Sequence, residues 1–106
     1  MILLRDKELF KRMAANSKEH NIHCLIEEMA ELTQALTKEL RGKPNRDNLA
    51  EEISDVMMML EVTTRCLDVS LDDIEKWSVK KQQALRDWYF VQGKGEKYED
   101  SEENER

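Results

Sequence analysis

The sequence predicts an all-α fold, a four-helix bundle-like domain, and three observations carry that prediction. Only three Gly and one Pro occur in 106 residues, so turn residues are scarce, and β-branched or aromatic clusters are few. Apolar residues recur at the spacing of one helix face in four successive stretches. Between those stretches stand residues that stop or start helices, namely Ser17, Gly42 with Pro44, and Ser70.

A first short helix is predicted from about Arg5 to Ala15, with Leu9, Phe10, Met13 and Ala14 on one side. Asn16 breaks it, and Ser17 caps a second helix that runs from about Lys18 to Arg41. Its predicted core stripe is Ile22, Leu25, Ile26, Met29, Thr33, Leu36 and Leu40, while Cys24 and Ala35 share another flank with two acids. Gly42 suits the left-handed position just past a helix end, and Pro44 follows at the usual distance.

Asn45, Asp47 and Asn48 offer caps for a third helix, from about Asn48 to Leu67. Its main stripe reads Leu49, Ile53, Val56, Leu60, Thr63, Thr64 and Leu67. A second flank reads Glu52, Asp55, Met59, Val62 and Cys66, so this helix is predicted to be covered on two sides. Ser70, with Asp73 three residues on, opens a fourth helix to about Tyr89 or Phe90. Ile74, Trp77, Ser78, Leu85 and Trp88 form its inward stripe, with Lys81 near the middle. An ammonium seldom points inward without an anionic partner, which singles out Lys81. Residues 92–106 are polar and mostly acidic and are expected to be a disordered tail, leaving 1–91 as the single domain.

Two acidic motifs stand inside these helices. Glu28/Glu31 and Glu52/Asp55 are each spaced i, i+3, which puts the two side chains of a pair about 60° apart around a helix and roughly 4.5 Å apart along it. If the two helices pack with those flanks facing, four carboxylates surround one small volume. Two such charges roughly 5 Å apart repel by about 3 kcal/mol at an effective dielectric of about 20, so a cation belongs between them. An oxygen-only set with no matching Cys or His favours a hard ion, Mg²⁺ or Mn²⁺. Glu27 and Glu51 are expected to face solvent or to support the four from outside, and His20 and His23 to be exposed at the start of the second helix.

A net charge of −6 without a basic stripe argues against wrapping a nucleic-acid backbone. Cys24 and Cys66 lack the close spacing of a zinc or redox motif and are read as reduced, which suits a cytoplasmic protein. Met1 to Leu4 is too short an apolar run for a signal peptide, and no stretch approaches a membrane span.

The doubled motif, Glu27-Glu28-Met29-Ala30-Glu31-Leu32 followed across a polar loop by Glu52-Ile53-Ser54-Asp55-Val56, resembles the MazG-like all-α nucleoside triphosphate pyrophosphohydrolases of the compact single-domain type, from about His20 to Arg86. That resemblance implies a helical dimer or dimer of dimers that cleaves triphosphates, non-standard or deoxy ones included, between the α- and β-phosphates. By it, Glu28, Glu31, Glu52 and Asp55 would hold Mg²⁺, with Mn²⁺ as a substitute, and Glu28 or Glu31 would help deprotonate the attacking water. Lys81 would stabilise charge on the phosphates, with Lys80 and Arg86 as alternatives, and Asn21 stands where the family often has Gln near the nucleotide. The competing reading is a non-catalytic helical dimerisation or interaction module whose acids only solubilise it or meet a basic partner.

Overall fold

The computed structural model of the protein describes residues 5–91. Among them every regular element is helical, so the all-α prediction is borne out. Three helices, α1 (Lys7–Ala14), α2 (Lys18–Leu40) and α3 (Arg46–Cys66), belong to a first compact unit that ends at Val69. A second unit starts at Ser70 and contains α4 (Leu71–Arg86), which passes into a π-helical turn, Asp87–Val91. The expected acidic tail and the apolar residues 1–4 lie outside the described residues.

Each α-helix starts where a short polar side chain can satisfy an amide that has no partner within the helix. Asp6, Ser17, Asn45 and Ser70 accept from the N–H groups of Leu9, His20, Asn48 and Asp73 at 3.0–3.1 Å. This sets α1 two residues later than expected, because Asp6 caps it, and α3 two residues earlier, because Asn45 does so ahead of Asp47 and Asn48. Arg5, left outside α1, pairs instead with Glu61 of α3.

Two helices end alike. After α2, Gly42 takes a left-handed φ of 75°, the Gly42 N–H donates to Glu39 O at 3.1 Å, and the Lys43 N–H donates to Lys38 O at 2.9 Å. After α3, Asp68 takes the same hand at φ 55°, with N–H groups of Asp68 and Val69 donating to Arg65 O and Thr64 O. Both are Schellman closures, which satisfy carbonyls that a helix end leaves open. An ion pair from Arg46 to Glu39, 3.1 Å long, ties the start of α3 back to the end of α2.

The core of the first unit is small. Phe10 of α1 packs with Met59 and Val62 of α3, and Met13, Ala14, Cys24 and Leu25 close around them. Asn21, 1% exposed, is buried beside this cluster. Its Nδ2 donates to Met13 O at 3.2 Å, and its own carbonyl accepts from the Thr63 hydroxyl at 3.4 Å. One buried amide thus fastens the end of α1 to α2, while the carbonyl of the same residue meets α3.

The faces of α2 and α3 differ in part from those expected. On α2 Ile22 and Leu25 of the predicted stripe are half-buried, but from there on the protected line is Glu28, Leu32, Ala35 and Glu39, continuing from Asn21 and Cys24, whereas Ile26, Met29, Leu36 and Leu40 of the predicted stripe are exposed, Leu40 at 90%. On α3 both predicted flanks contribute to the buried side, Val56 and Thr63 from the main stripe and Met59 and Val62 from the second, while Ile53, Leu60 and Leu67 of the main stripe are exposed. Small residues occupy the acid-bearing side of α2: Cys24 packs against the cluster of Phe10, Met59 and Val62, and Ala35 is buried, so contact there needs little volume. No residue of α4 or of the π-helical turn after it is buried: Ile74, Trp77 and Leu85, with Trp88 in the turn, all expected to point inward, are between 41% and 55% exposed.

Candidate metal centre

Because α2 and α3 pack along their acid-bearing flanks, Glu28 and Glu31 face Glu52 and Asp55. One carboxylate oxygen from each of the four lies within 4.8 Å of every other. Glu28, Glu52 and Asp55 are half-buried and Glu31 is exposed, so the group sits at the edge of the helix contact with one side open to solvent. Glu27 and Glu51 are both exposed and outside the group.

Burial and mutual repulsion act on the same oxygens. Desolvation, followed by the charges of Asp55, Glu31 and Glu52, pushes the Glu28 carboxyl above the usual carboxylate range. Glu52 moves the same way, first by desolvation, then by a hydrogen bond with Glu31 and the charges of Glu31, Asp55 and Glu51. Two carboxyl groups can share a hydrogen bond only when one keeps its proton, so the contacts Glu28 to Asp55 and Glu52 to Glu31 favour the neutral form. Oε2 of Glu28 and Oε2 of Glu52 are buried and accept no hydrogen bond. Leaving a buried carboxylate oxygen unpaired is costly, and here the deficit falls on one residue from each helix.

These features fit a divalent cation. The donors are all carboxylate oxygens, the choice of hard ions rather than of zinc or copper. Ligand oxygens around an octahedral Mg²⁺ span about 3 to 4 Å, close to the spread of this group. A cation would supply the missing partner of both unpaired oxygens and relieve the repulsion that raises the pKa of Glu28 and Glu52.

The remaining candidates lie elsewhere. Asn21 has its side chain buried and its amide engaged with Met13, two turns before Glu28 on α2. Lys81 is exposed on α4 of the second unit. On the same helix the Lys80 ammonium stands 5.1 Å from the centre of the Trp77 ring, and the Arg86 guanidinium 5.2 Å from that of Phe90 in the following turn. His20 and His23 are both exposed, as expected, and His20 is in addition in contact with the Cys24 thiol. Sequence spacing gave a hint of that contact, since residues 20 and 24 share a helix face, and the structural use of Asn21 had no such signal.

Among the described residues no helix is long and apolar enough to cross a membrane. Comparison with known proteins adds one positive finding: the family model of the MazG nucleotide pyrophosphohydrolase domain matches residues 16–90. That span contains all four acids and the helices α2, α3 and α4. Neither a curated protein nor a solved structure gave a match.

Proposed function

Because the chain belongs to the MazG nucleotide pyrophosphohydrolase family, we propose that it hydrolyses nucleoside triphosphates, non-standard or deoxy ones included, to a monophosphate and pyrophosphate with the help of Mg²⁺. The observation that carries the proposal is the convergence of Glu28, Glu31, Glu52 and Asp55 across the α2–α3 contact, with a buried, unpaired oxygen on each helix. Carboxylates gathered at such cost to folding are better explained by a ligand than by solubility, since dispersed surface acids would solubilise without it.

The four acids would hold the ion. A bound Mg²⁺ supplies charge neutralisation at the phosphates and lowers the pKa of a coordinated water. Glu52 and Asp55 on α3 and Glu31 on α2 fix the site in place by belonging to two helices locked at both ends. Glu28 is the candidate for proton transfer, as a half-buried carboxylate whose neighbours Asp55, Glu31 and Glu52 can carry the ion between them. Glu31, exposed at the open side, is the second candidate for that role. Lys81, with Arg86, is proposed on the family likeness alone as the source of positive charge for the phosphate oxygens, and Asn21 as a support of the site rather than a nucleotide contact. The exposed apolar faces of α2, α3 and α4 favour a homodimer or dimer of dimers, and the setting is proposed to be cytoplasmic.

The test is a panel of natural and damaged triphosphates assayed for pyrophosphate with Mg²⁺ or Mn²⁺. Release from at least one of them is expected, and none at any metal concentration overturns the proposal. A non-catalytic interaction module, the competing reading, draws on the same exposed apolar faces. It predicts a thermal midpoint indifferent to Mg²⁺, whereas ion binding to the folded state alone raises it.

A further inference from the structure

Two cysteines of similar exposure sit in the first unit with different neighbours. Cys24 Sγ lies 3.6 Å from Nε2 of His20, one turn earlier on the same face of α2. Cys66 Sγ, in the last turn of α3, has the Asn16 carbonyl oxygen as its partner at 3.9 Å. Both thiols are half-buried, so access alone does not distinguish them. Their partners do. A carbonyl oxygen accepts the S–H without taking the proton, while a neutral imidazole with its proton on Nδ1 can remove it as sulfur attacks.

We propose that the His20–Cys24 pair makes Cys24 the chain's reactive thiol, a site of modification by peroxides and soft carbon electrophiles, and that Cys66 is not one. With a peroxide, the sulfur forms a bond to one oxygen as the O–O bond breaks. The thiol is oxidised to a sulfenic acid and the peroxide is reduced. The proton taken by His20 passes to the departing hydroxide as water, which restores the neutral imidazole. With an alkyl halide, the S–C bond forms, halide leaves with the bonding pair, and the proton remains on the imidazole until solvent removes it. Cys24 lies four residues before Glu28, about 6 Å along the helix, so an adduct would stand on the flank that carries the acids. The proposal does not depend on the function assigned to those acids.

The experiment is a time course of iodoacetamide labelling of the full chain at neutral pH, with Cys24 and Cys66 read separately by peptide mass spectrometry. Cys24 is expected to label about tenfold faster or more, a modest share of what a positioned general base commonly contributes. His20→Gln is expected to bring the Cys24 rate down towards that of Cys66 without changing the Cys66 rate. His23→Gln, at an exposed neighbour, is expected to leave both rates as they were, and circular dichroism checks that each variant keeps its helices. Equal rates in the parent, or a Cys24 rate that survives His20→Gln in a folded protein, overturn the proposal. So does a matching rise in both thiols, which marks general loosening of the unit.

Discussion

The α2–α3 pair and the α4 region place their polar and apolar residues in opposite ways. In the first, carboxylates lie within the helix contact while Ile26, Met29, Leu36 and Leu60 face outward. In the second, an ordinary amphipathic helix carries Ile74, Trp77 and Leu85 along one face, and none of them is buried. Stability alone would favour the reverse in the first region, because desolvated acids cost energy that buried leucines would return. The contrast teaches that α2 and α3 bury acids where an ordinary helix pair would bury leucines, and that α4 keeps its apolar face uncovered.

The sharpest way to break this comparison is to neutralise the charge. Glu52→Gln should lower pyrophosphate release by about 100-fold or more, since even residues that only orient metal ligands are worth 10- to 100-fold. The variant should fold at least as well as the parent without metal, because one of the mutually repelling groups is gone. Activity that survives, measured as pyrophosphate per minute at saturating Mg²⁺, would remove the site from the mechanism.

The next test concerns α4. Replacing Ile74 and Leu85 together by Ser should weaken self-association by at least about 100-fold, given about 1.5 to 3 kcal/mol for each apolar side chain buried at an interface. Sedimentation velocity over a concentration series reads the result. If the variant's assembly matches that of the parent, the face is only solvated surface.

A third substitution probes the first unit where it relies on one amide. Asn21→Leu leaves Met13 O without its donor and should cost about 1 to 3 kcal/mol in urea unfolding. Mg²⁺-dependent stabilisation should persist, since the acids remain. Loss of ion binding with unchanged stability would instead give Asn21 a place at the ligand.

The smallest expected effect is on pH dependence. Glu28 and Glu52 bind protons more tightly folded than unfolded, so their contribution to stability is fully present below the ordinary carboxyl range and is lost as pH rises through their raised pKa values. In metal-free protein the thermal midpoint should fall more steeply over that window in the parent than in Glu28→Gln/Glu52→Gln. Mg²⁺ should remove most of the difference near neutrality. Parallel slopes would mean that the two groups titrate alike in both states.

Helix number, order and caps were legible in the sequence because they depend on local chemistry. Ser17, Ser70 and Gly42 satisfy backbone groups within a few residues of themselves, and no distant contact competes with them. The four acids were legible for the same reason: i, i+3 spacing fixes each pair on its own helix. Which face of α2 turns inward was not. Its apolar stripe is the stronger signal by composition, yet beyond Leu25 the protected side is the one that carries Glu28 and Ala35, a shift set by packing against other helices. Asn21 could not be placed from the sequence either, since its value lies in reaching Met13, a residue of another helix. For α4 the pattern gave a face but not what covers it.

The turn at Gly42 works as a ruler for the site. Glu28 and Asp55 are equally far along the chain from the Arg41–Gly42 peptide bond, as are Glu31 and Glu52, and these are the two couples whose carboxyl groups interact directly. A hairpin folded about that point brings each acid opposite its mirror image, so the length of the connection between α2 and α3 helps determine which oxygens meet. Adding one residue there would slide Ser54 towards Glu28 and separate the quartet without altering any of its members.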